Sequence, residues 1–260
     1  MRDSLPSLFK EREIFSSLRI PKDFKFLAVR CDGRCFHKLT DKLNFKKPYD
    51  MRFAQAMVTT TLMVLREWRD VMRLAYTFSD EISFIMRAPF PFSGRIEKLD
   101  SLIAATTSSA FTLSLLRFTG KHVLVQFDAR LIPLHNEDEV IDYLYSRQLE
   151  AWRNFINSVS FYHLVINKHM DPETANKKLL GKKVVERITL LKSNGVKLES
   201  MPLWMRRGIL IYIRKVKKRG YDPISKREVE TSRNVPFVIW SPPLFKSPEG
   251  EVLIRAALSQ

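Results

Sequence analysis

The feature that most restricts what this chain can fold into is the order in which its hydrophobic periodicity changes. Residues 24–31 open on an apolar run, FKFLAV, that reads as a strand, and residues 51–70 (MRFAQAMVTTTLMVLREWRD) recur at helical spacing. Residues 73–78 and 82–86 are short apolar runs around Ser79-Asp80-Glu81, which suits a hairpin with acids at its tip. Helical spacing returns over 96–117, and 121–127 (KHVLVQF) predicts another strand before Asp128-Ala129-Arg130. Strand, helix, strand, strand, helix, strand is the βαββαβ order. It predicts an α+β, ferredoxin-like antiparallel sheet with helices on one face.

Around that unit the reading is coarser. Residues 1–20 predict a short leading helix stopped by Pro21, and Asp50 follows a Lys-Lys-Pro-Tyr break as a cap for the 51–70 helix. Residues 137–168 and 172–193 have helical spacing, with Gly195 closing the second stretch. Residues 207–218 (RGILIYIRKVKK) predict a strand, and VPFVIW at 235–240 precedes a short tail. The expected division is 1–135 for the domain that carries the βαββαβ unit, with its leading helix. Residues 136–260 then form a helical and strand-containing region. No apolar stretch reads as long enough to cross a membrane.

The topology gives Asp32 a meaning. In a βαββαβ sheet the first and third strands are antiparallel neighbours, so Asp32, at the end of the first, comes beside Asp80 and Glu81 at the start of the third. Carboxylates that close do not all stay ionised unaided, and a divalent cation would pair them. Two Mg²⁺ ions suit phosphoryl or nucleotidyl transfer, because Mg²⁺ combines a few carboxylates with phosphate oxygens and water. Gly33 admits a close backbone approach, the amides after it can cradle a triphosphate, and Arg34 and His37 add donors. Taken singly, Asp32-Gly33 is also an ordinary turn and Asp80-Glu81 an ordinary hairpin tip.

The charge points the same way. Forty-four basic residues against 28 acidic leave a net +16, which asks for a polyanionic partner, nucleic acid before membrane. Arg206, Arg207, Arg214, Lys215, Lys217, Lys218 and Arg219 concentrate in one segment, with Lys177, Lys178, Lys182 and Lys183 as a second cluster. Such residues neutralise phosphates without reading sequence, although lysines also guard exposed strand edges. Trp152 and Trp204 read as core residues rather than base-stacking platforms. Cys31 and Cys35, too few for a disulfide framework, suggest packing residues and a reducing, cytoplasmic setting. No HExxH or paired Cys/His spacing supports a zinc enzyme.

At this point the residues carry a resemblance. VRCDGRCFHKLT at 29–40, NFKKPYD at 44–50, AYTFSDEISF at 75–84 and FDAR at 127–130 resemble the tRNA-histidine guanylyltransferase family and its guanylyltransferase-like relatives, the 3′–5′ polymerases. A weaker match runs through DYLYSRQ at 142–148 and PLWMRRG at 202–208. The resemblance implies a polymerase-type palm working on tRNA 5′ ends with GTP and/or ATP, and a dimer or tetramer. It implies that Asp32, the Gly33 carbonyl and Asp80 hold the metals, with Glu81 in support. Arg34, Cys35, Phe36 and His37 would wrap the incoming triphosphate. Arg30, Lys47, Asp50, Ser79, Lys98 and Arg130 would bind the activating nucleotide or 5′-triphosphate, and Arg147, Arg153 and Asn154 would join the tRNA contacts.

Two departures bear on specificity. Members that add guanosine to histidine tRNA carry HINNLYN after an Arg-Gln pair and KPND near the nucleotide. Here WRNFINS stands at 152–158 and Tyr49 interrupts the second motif. Both resemble the branch that repairs truncated tRNA 5′ ends against the opposite strand, so templated repair is the expected activity and guanylate addition the alternative. A nucleotide cyclase on the same palm and a non-catalytic RNA-binding module are the other readings. The convergent acids disfavour the last.

Overall fold

The computed structural model describes residues 9–222 and 226–259. In chain order it contains β1 (Phe26–Gly33), α1 (Phe36–Lys42), α2 (Met51–Glu67), β2 (Met72–Phe78), β3 (Glu81–Arg87), α3 (Ile96–Thr119) and β4 (Phe127–Leu134). There follow α4 (Glu137–Tyr162), α5 (Pro172–Leu179), α6 (Val184–Ser193), α7 (Leu203–Arg207), β5 (Ile209–Asp222), β6 (Arg227–Ile239) and α8 (Pro248–Leu258). The six strands form one antiparallel sheet in the order β4-β1-β3-β2-β5-β6. Its first four strands have the ferredoxin-like arrangement that the periodicities predict.

Strand alternation explains why the sheet is covered twice. Leu27, Val29 and Cys31 of β1 point to the face covered by α2 and α3, in a core that includes Met57, Leu65, Phe84 and Phe111. Phe26 and Ala28 point to the other face, where they meet Val140, Ile141 and Leu144 of α4 and Ile254 and Ala257 of α8. Each fully buried large apolar side chain in these layers contributes about 1.5–3 kcal/mol. Helices therefore pack on both faces, not one. The second layer comes from residues after 136, whose strands β5 and β6 also extend the same sheet.

Several boundaries differ from the sequence reading. The expected leading helix falls partly on residues outside those described. Phe9, Lys10 and Glu11 are helical, the chain then passes through turns to Leu18, and Ile20 N–H donates to Gly94 O at 2.9 Å. β1 runs further than expected, so Asp32 and Gly33 lie inside the strand, and the loop after them winds into α1. The fourth strand is FDARLIPL rather than KHVLVQF. Leu124 is 94% exposed, whereas Phe127, Ala129 and Leu131 alternate inward against α3, so only the later register buries an apolar face. The 172–193 stretch breaks at Gly181, in left-handed backbone at φ 74°, and the tail forms α8. α3 is in fact long and apolar enough, by length and composition, to cross a membrane. Leu99, Ile103, Phe111 and Leu115 bury that apolar character against the sheet.

Candidate active site

The acids meet where β1 and β3 end. Asp32 lies directly opposite Glu81, and Gly33 N–H donates to Asp80 O at 3.1 Å. The β2–β3 turn is closed by Ser79, in left-handed backbone at φ 48°, whose hydroxyl donates to Asp80 Oδ1 at 3.0 Å. Burial raises the Asp80 carboxyl above the ordinary range, and the Asp32 charge raises it further, against the Ser79 hydrogen bond. Two carboxylates that repel each other, beside a main-chain carbonyl at Gly33, make an all-oxygen donor set of the kind Mg²⁺ takes. Among the described residues no three His, Cys, Asp or Glu side chains form a cluster able to hold a metal. The set thus fits a cation that completes its shell with phosphate and water, as Mg²⁺ commonly does.

Glu81 has a different partner. Arg147 of α4 donates to it from Nε at 2.8 Å and from Nη2 at 2.6 Å, and both side chains are nearly buried. Burial raises the Glu81 carboxyl while the Arg147 hydrogen bonds hold it down. The Ser83 hydroxyl sits 2.9 Å from the Tyr143 hydroxyl beside this pair. Glu81 is therefore tied to α4. Arg147, expected on the tRNA surface, instead clamps that helix to the sheet.

Beyond Asp80 opens a cavity of about 400 Å³ between the β1–α1 loop, α2 and α4. Cys35 turns the loop in left-handed backbone at φ 58°, and Phe36 is buried against Phe53, Phe111 and Phe127. That ring explains Gly33: a Cβ there would lie 2.4 Å from Phe36 Cε2. Gly33, Cys35, Phe36, His37, Lys47, Ser79, Asp80 and Asn154, all expected at the site, line the cavity. Thr40, Ser158 and Tyr162 line it too and were missed, because only the folded approach of α4 brings the last two there. Lys47 Nζ reaches Asp41 at 2.6 Å and Thr40 Oγ1 at 2.7 Å. Asp50 borders the cavity but is occupied as the α2 cap, accepting from Lys46 N–H at 2.9 Å and Arg52 N–H at 2.8 Å. Burial would raise its carboxyl, but these bonds and the Arg52 guanidinium outweigh it and bring it to about 2. Tyr49 stacks on Phe155 with ring centroids 6.1 Å apart, and Trp204 packs edge-on against Tyr49 and Trp240.

The remaining expected residues spread around this centre. Arg34 gives its N–H to Gln126 O at 2.9 Å and its side chain to Gln126 Oε1 at 3.2 Å. Arg30 lies opposite Arg130 across β1–β4, and Asp32 lies opposite Asp128. Asp128, which the sequence reading did not single out, is found only through this register. Lys98 is exposed in the first turn of α3, which packs on the sheet face opposite Arg30. Arg153 pairs with Glu150 at 2.6 Å, and Arg206 and Arg207 cap carbonyls of Glu199 and Pro242. β5 pairs with β2 only through Tyr212, whereas its pairing with β6 continues to Asp222. Arg214, Lys215, Lys217, Lys218 and Arg219 thus stand exposed on a two-stranded arm, with Lys217 paired to Glu230 at 2.7 Å.

Comparison with known proteins agrees with this geometry. The family model described as tRNAHis guanylyltransferase matches residues 8–135. The tRNA(His) guanylyltransferase of Candida glabrata is 30% identical over 193 residues, covering 72% of this chain and 81% of that protein. A probable tRNA(His) guanylyltransferase of Drosophila melanogaster is 28% identical over 195 residues, covering 74% and 68%. Among solved structures, a bacterial tRNA(His) guanylyltransferase-like protein in complex with ATP superposes with a TM-score of 0.70 at 21% identity, covering 97% of this chain and 98% of that one. The Saccharomyces cerevisiae enzyme gives 0.68 at 24%, covering 84% and 93%. The same fold is thus shared end to end, and the stretch that the family model matches includes Asp32, Asp80 and Glu81. The chain belongs to the tRNAHis guanylyltransferase family.

Proposed function

We propose that this protein joins a nucleotide to the 5′ end of a tRNA. The observation that carries the reading is the meeting of Asp32, Gly33 and Asp80 at the mouth of an aromatic cavity that also holds Lys47. The 3′-hydroxyl of the incoming nucleotide attacks the α-phosphorus of a tRNA 5′-triphosphate. The new P–O bond forms as pyrophosphate leaves, and the hydroxyl proton passes to solvent. Asp32, Asp80 and the Gly33 carbonyl would hold two Mg²⁺ ions, which supply charge neutralisation and a more acidic hydroxyl. The residues around them orient the reactants. Phe36 and its aromatic neighbours set the loop that faces the triphosphate, and Lys47 adds positive charge beside it. The exposed arm of β5 and β6 offers cations to the tRNA backbone. Bacterial relatives of this fold bind ATP and GTP, which supports a nucleoside triphosphate substrate.

The named relatives favour guanylate addition to histidine tRNA. Templated 5′-end repair is the second reading, and Tyr49 is the observation behind it. Its ring fills the space between Phe155 and Trp204 beside the cavity, where the family pattern has a smaller amide. The test offers each labelled nucleoside triphosphate separately with a 5′-triphosphorylated tRNA, while the base opposite on the 3′ strand is varied. Guanosine added whatever that base is establishes guanylate addition. Incorporation that follows Watson–Crick pairing establishes repair. No incorporation alongside tight tRNA binding refutes both, as would Asp80→Ala retaining the wild-type rate.

A further inference from the structure

At the opposite end of the sheet lies a second cleft that the transfer reaction does not use. β1 begins there at Phe26, about 20 Å from Asp32 at ~3.3 Å per residue. The cleft has a volume of about 830 Å³ and lies between the 20–26 segment, the turn after β3 and the start of α4. Its walls are fixed by the backbone: Ile20 N–H donates to Gly94 O at 2.9 Å, Lys25 N–H to Leu134 O at 3.1 Å and Ala88 N–H to Lys25 O at 2.9 Å. Its floor is apolar, with Ile20, Phe24, Phe26 and Phe90. On one side Phe24 and His135 are stacked, ring centroids 4.2 Å apart and 24° from parallel.

The charges around it are unbalanced. Lys22, Lys25 and Arg87 line the cleft and are exposed, and no side-chain hydrogen bond or ion pair engages them among the described residues. The nearby acids are engaged. Glu137 pairs with Arg255 at 3.3 Å, Glu139 accepts from His135 N–H at 2.8 Å, and Asp23 lies 3.7 Å from His135 Nδ1. Next to the cleft, and sharing Arg87 and Pro89 with it, a smaller cavity holds Arg73 together with Asp70.

We infer that this cleft binds a nucleotide unit, with its phosphate on Arg87 and Lys25 and its base against the Phe24–His135 pair. Aromatic faces accept any base, and cations at the rim accept any phosphate, so the site reads nucleotide chemistry rather than sequence. The nucleotide comes from a tRNA strand or from a free nucleoside triphosphate. A tRNA engaged at Asp32 would then be held at two poles of the same sheet.

The test compares wild type with the Arg87→Gln/Lys25→Gln double variant and, separately, His135→Ala, using filter binding of tRNA across a salt series and equilibrium dialysis of GTP and ATP. All three residues are exposed, and matching thermal melts check the fold. If RNA is the source, the double variant weakens tRNA binding by about tenfold near 0.1 M salt and flattens the log–log salt slope by about 2, as expected for two lost phosphate contacts. His135→Ala then weakens binding without changing the slope. If free nucleotide is the source, the number of triphosphates bound per chain falls by one while the tRNA slope stays. Unchanged tRNA affinity, slope and triphosphate stoichiometry would overturn the inference. The readout is binding, so a failure of the transfer reaction at Asp32 and Asp80 leaves it testable.

Discussion

Replacing Arg147 by Met separates two roles that its position permits, a tRNA contact and an internal clamp. In the folded chain its guanidinium makes paired hydrogen bonds to Glu81 at 2.8 and 2.6 Å, with side-chain exposures of 15% and 10%. Without it, Glu81 stays in the protein with no hydrogen-bonded opposite charge, only the weaker influence of Arg30 against a neighbouring Asp32 whose charge opposes its ionisation. Breaking such a pair costs about 3–5 kcal/mol, a large part of the ~5–15 kcal/mol that holds a typical protein folded. Urea denaturation at pH 7 should therefore show that loss. Glu81→Gln combined with Arg147→Met should recover much of it, because the stranded charge is gone. The sign with pH follows. Burial already raises the Glu81 carboxyl, and losing Arg147 removes the largest of the interactions that hold it down. The destabilisation is thus present above that raised pKa and fades as pH falls through it. Arg153→Met is the control, since its pair with Glu150 is 58% and 30% exposed and should contribute about 0–1 kcal/mol. An Arg147→Met loss no larger than the control's, or a flatter salt dependence of tRNA binding, would refute the clamp.

Asp80→Asn should abolish nucleotide addition and also stabilise the protein in EDTA. Its carboxyl is raised by burial and then by Asp32, so its ionised form costs stability at neutral pH and that cost disappears on protonation. Each ~1 kcal/mol relieved should raise the melting temperature by about 2–4 °C, and an unchanged or lower melting temperature would contradict this. Gly33→Ala should destabilise by about 1–3 kcal/mol, because the new Cβ meets the Phe36 ring at 2.4 Å and the ring is enclosed by Phe53, Phe111 and Phe127. A denaturation midpoint equal to wild type would show that Phe36 moves aside freely.

Much of the palm was legible because its signals are local. Alternation marks β1, β2 and β3, helical spacing marks α2 and α3, and Asp50 caps α2 as its place after the break suggested. The errors arise where a local signal competed with a tertiary one. KHVLVQF is rich in β-formers, yet Leu124 faces solvent and the strand begins at Phe127, because pairing with β1 fixes which residues face α3. The short tail had no element assigned to it, but Ser247 caps α8 through its hydroxyl, and Ile254 and Ala257 cover a sheet face that the sequence does not reveal as vacant.

The candidate site shows the same division at the level of single side chains. That Asp32 and Asp80 would approach followed from topology, because strand order alone brings those ends together. What each neighbour does depends on register and on α4. Asp32 stands opposite both Glu81 and Asp128, and Arg30 opposite Arg130, so β1 carries like charges against like on successive same-face positions. Such pairs destabilise a sheet unless something lies between them. For Glu81 the structure supplies it internally, as Arg147. Asp128 and Arg130 supply it for each other, 3.8 Å apart and both more than half exposed. That leaves Asp32 lacking a positive charge, two residues from Arg30 on the same face, and a metal-bound nucleoside triphosphate would bring a cation to the one and phosphate to the other.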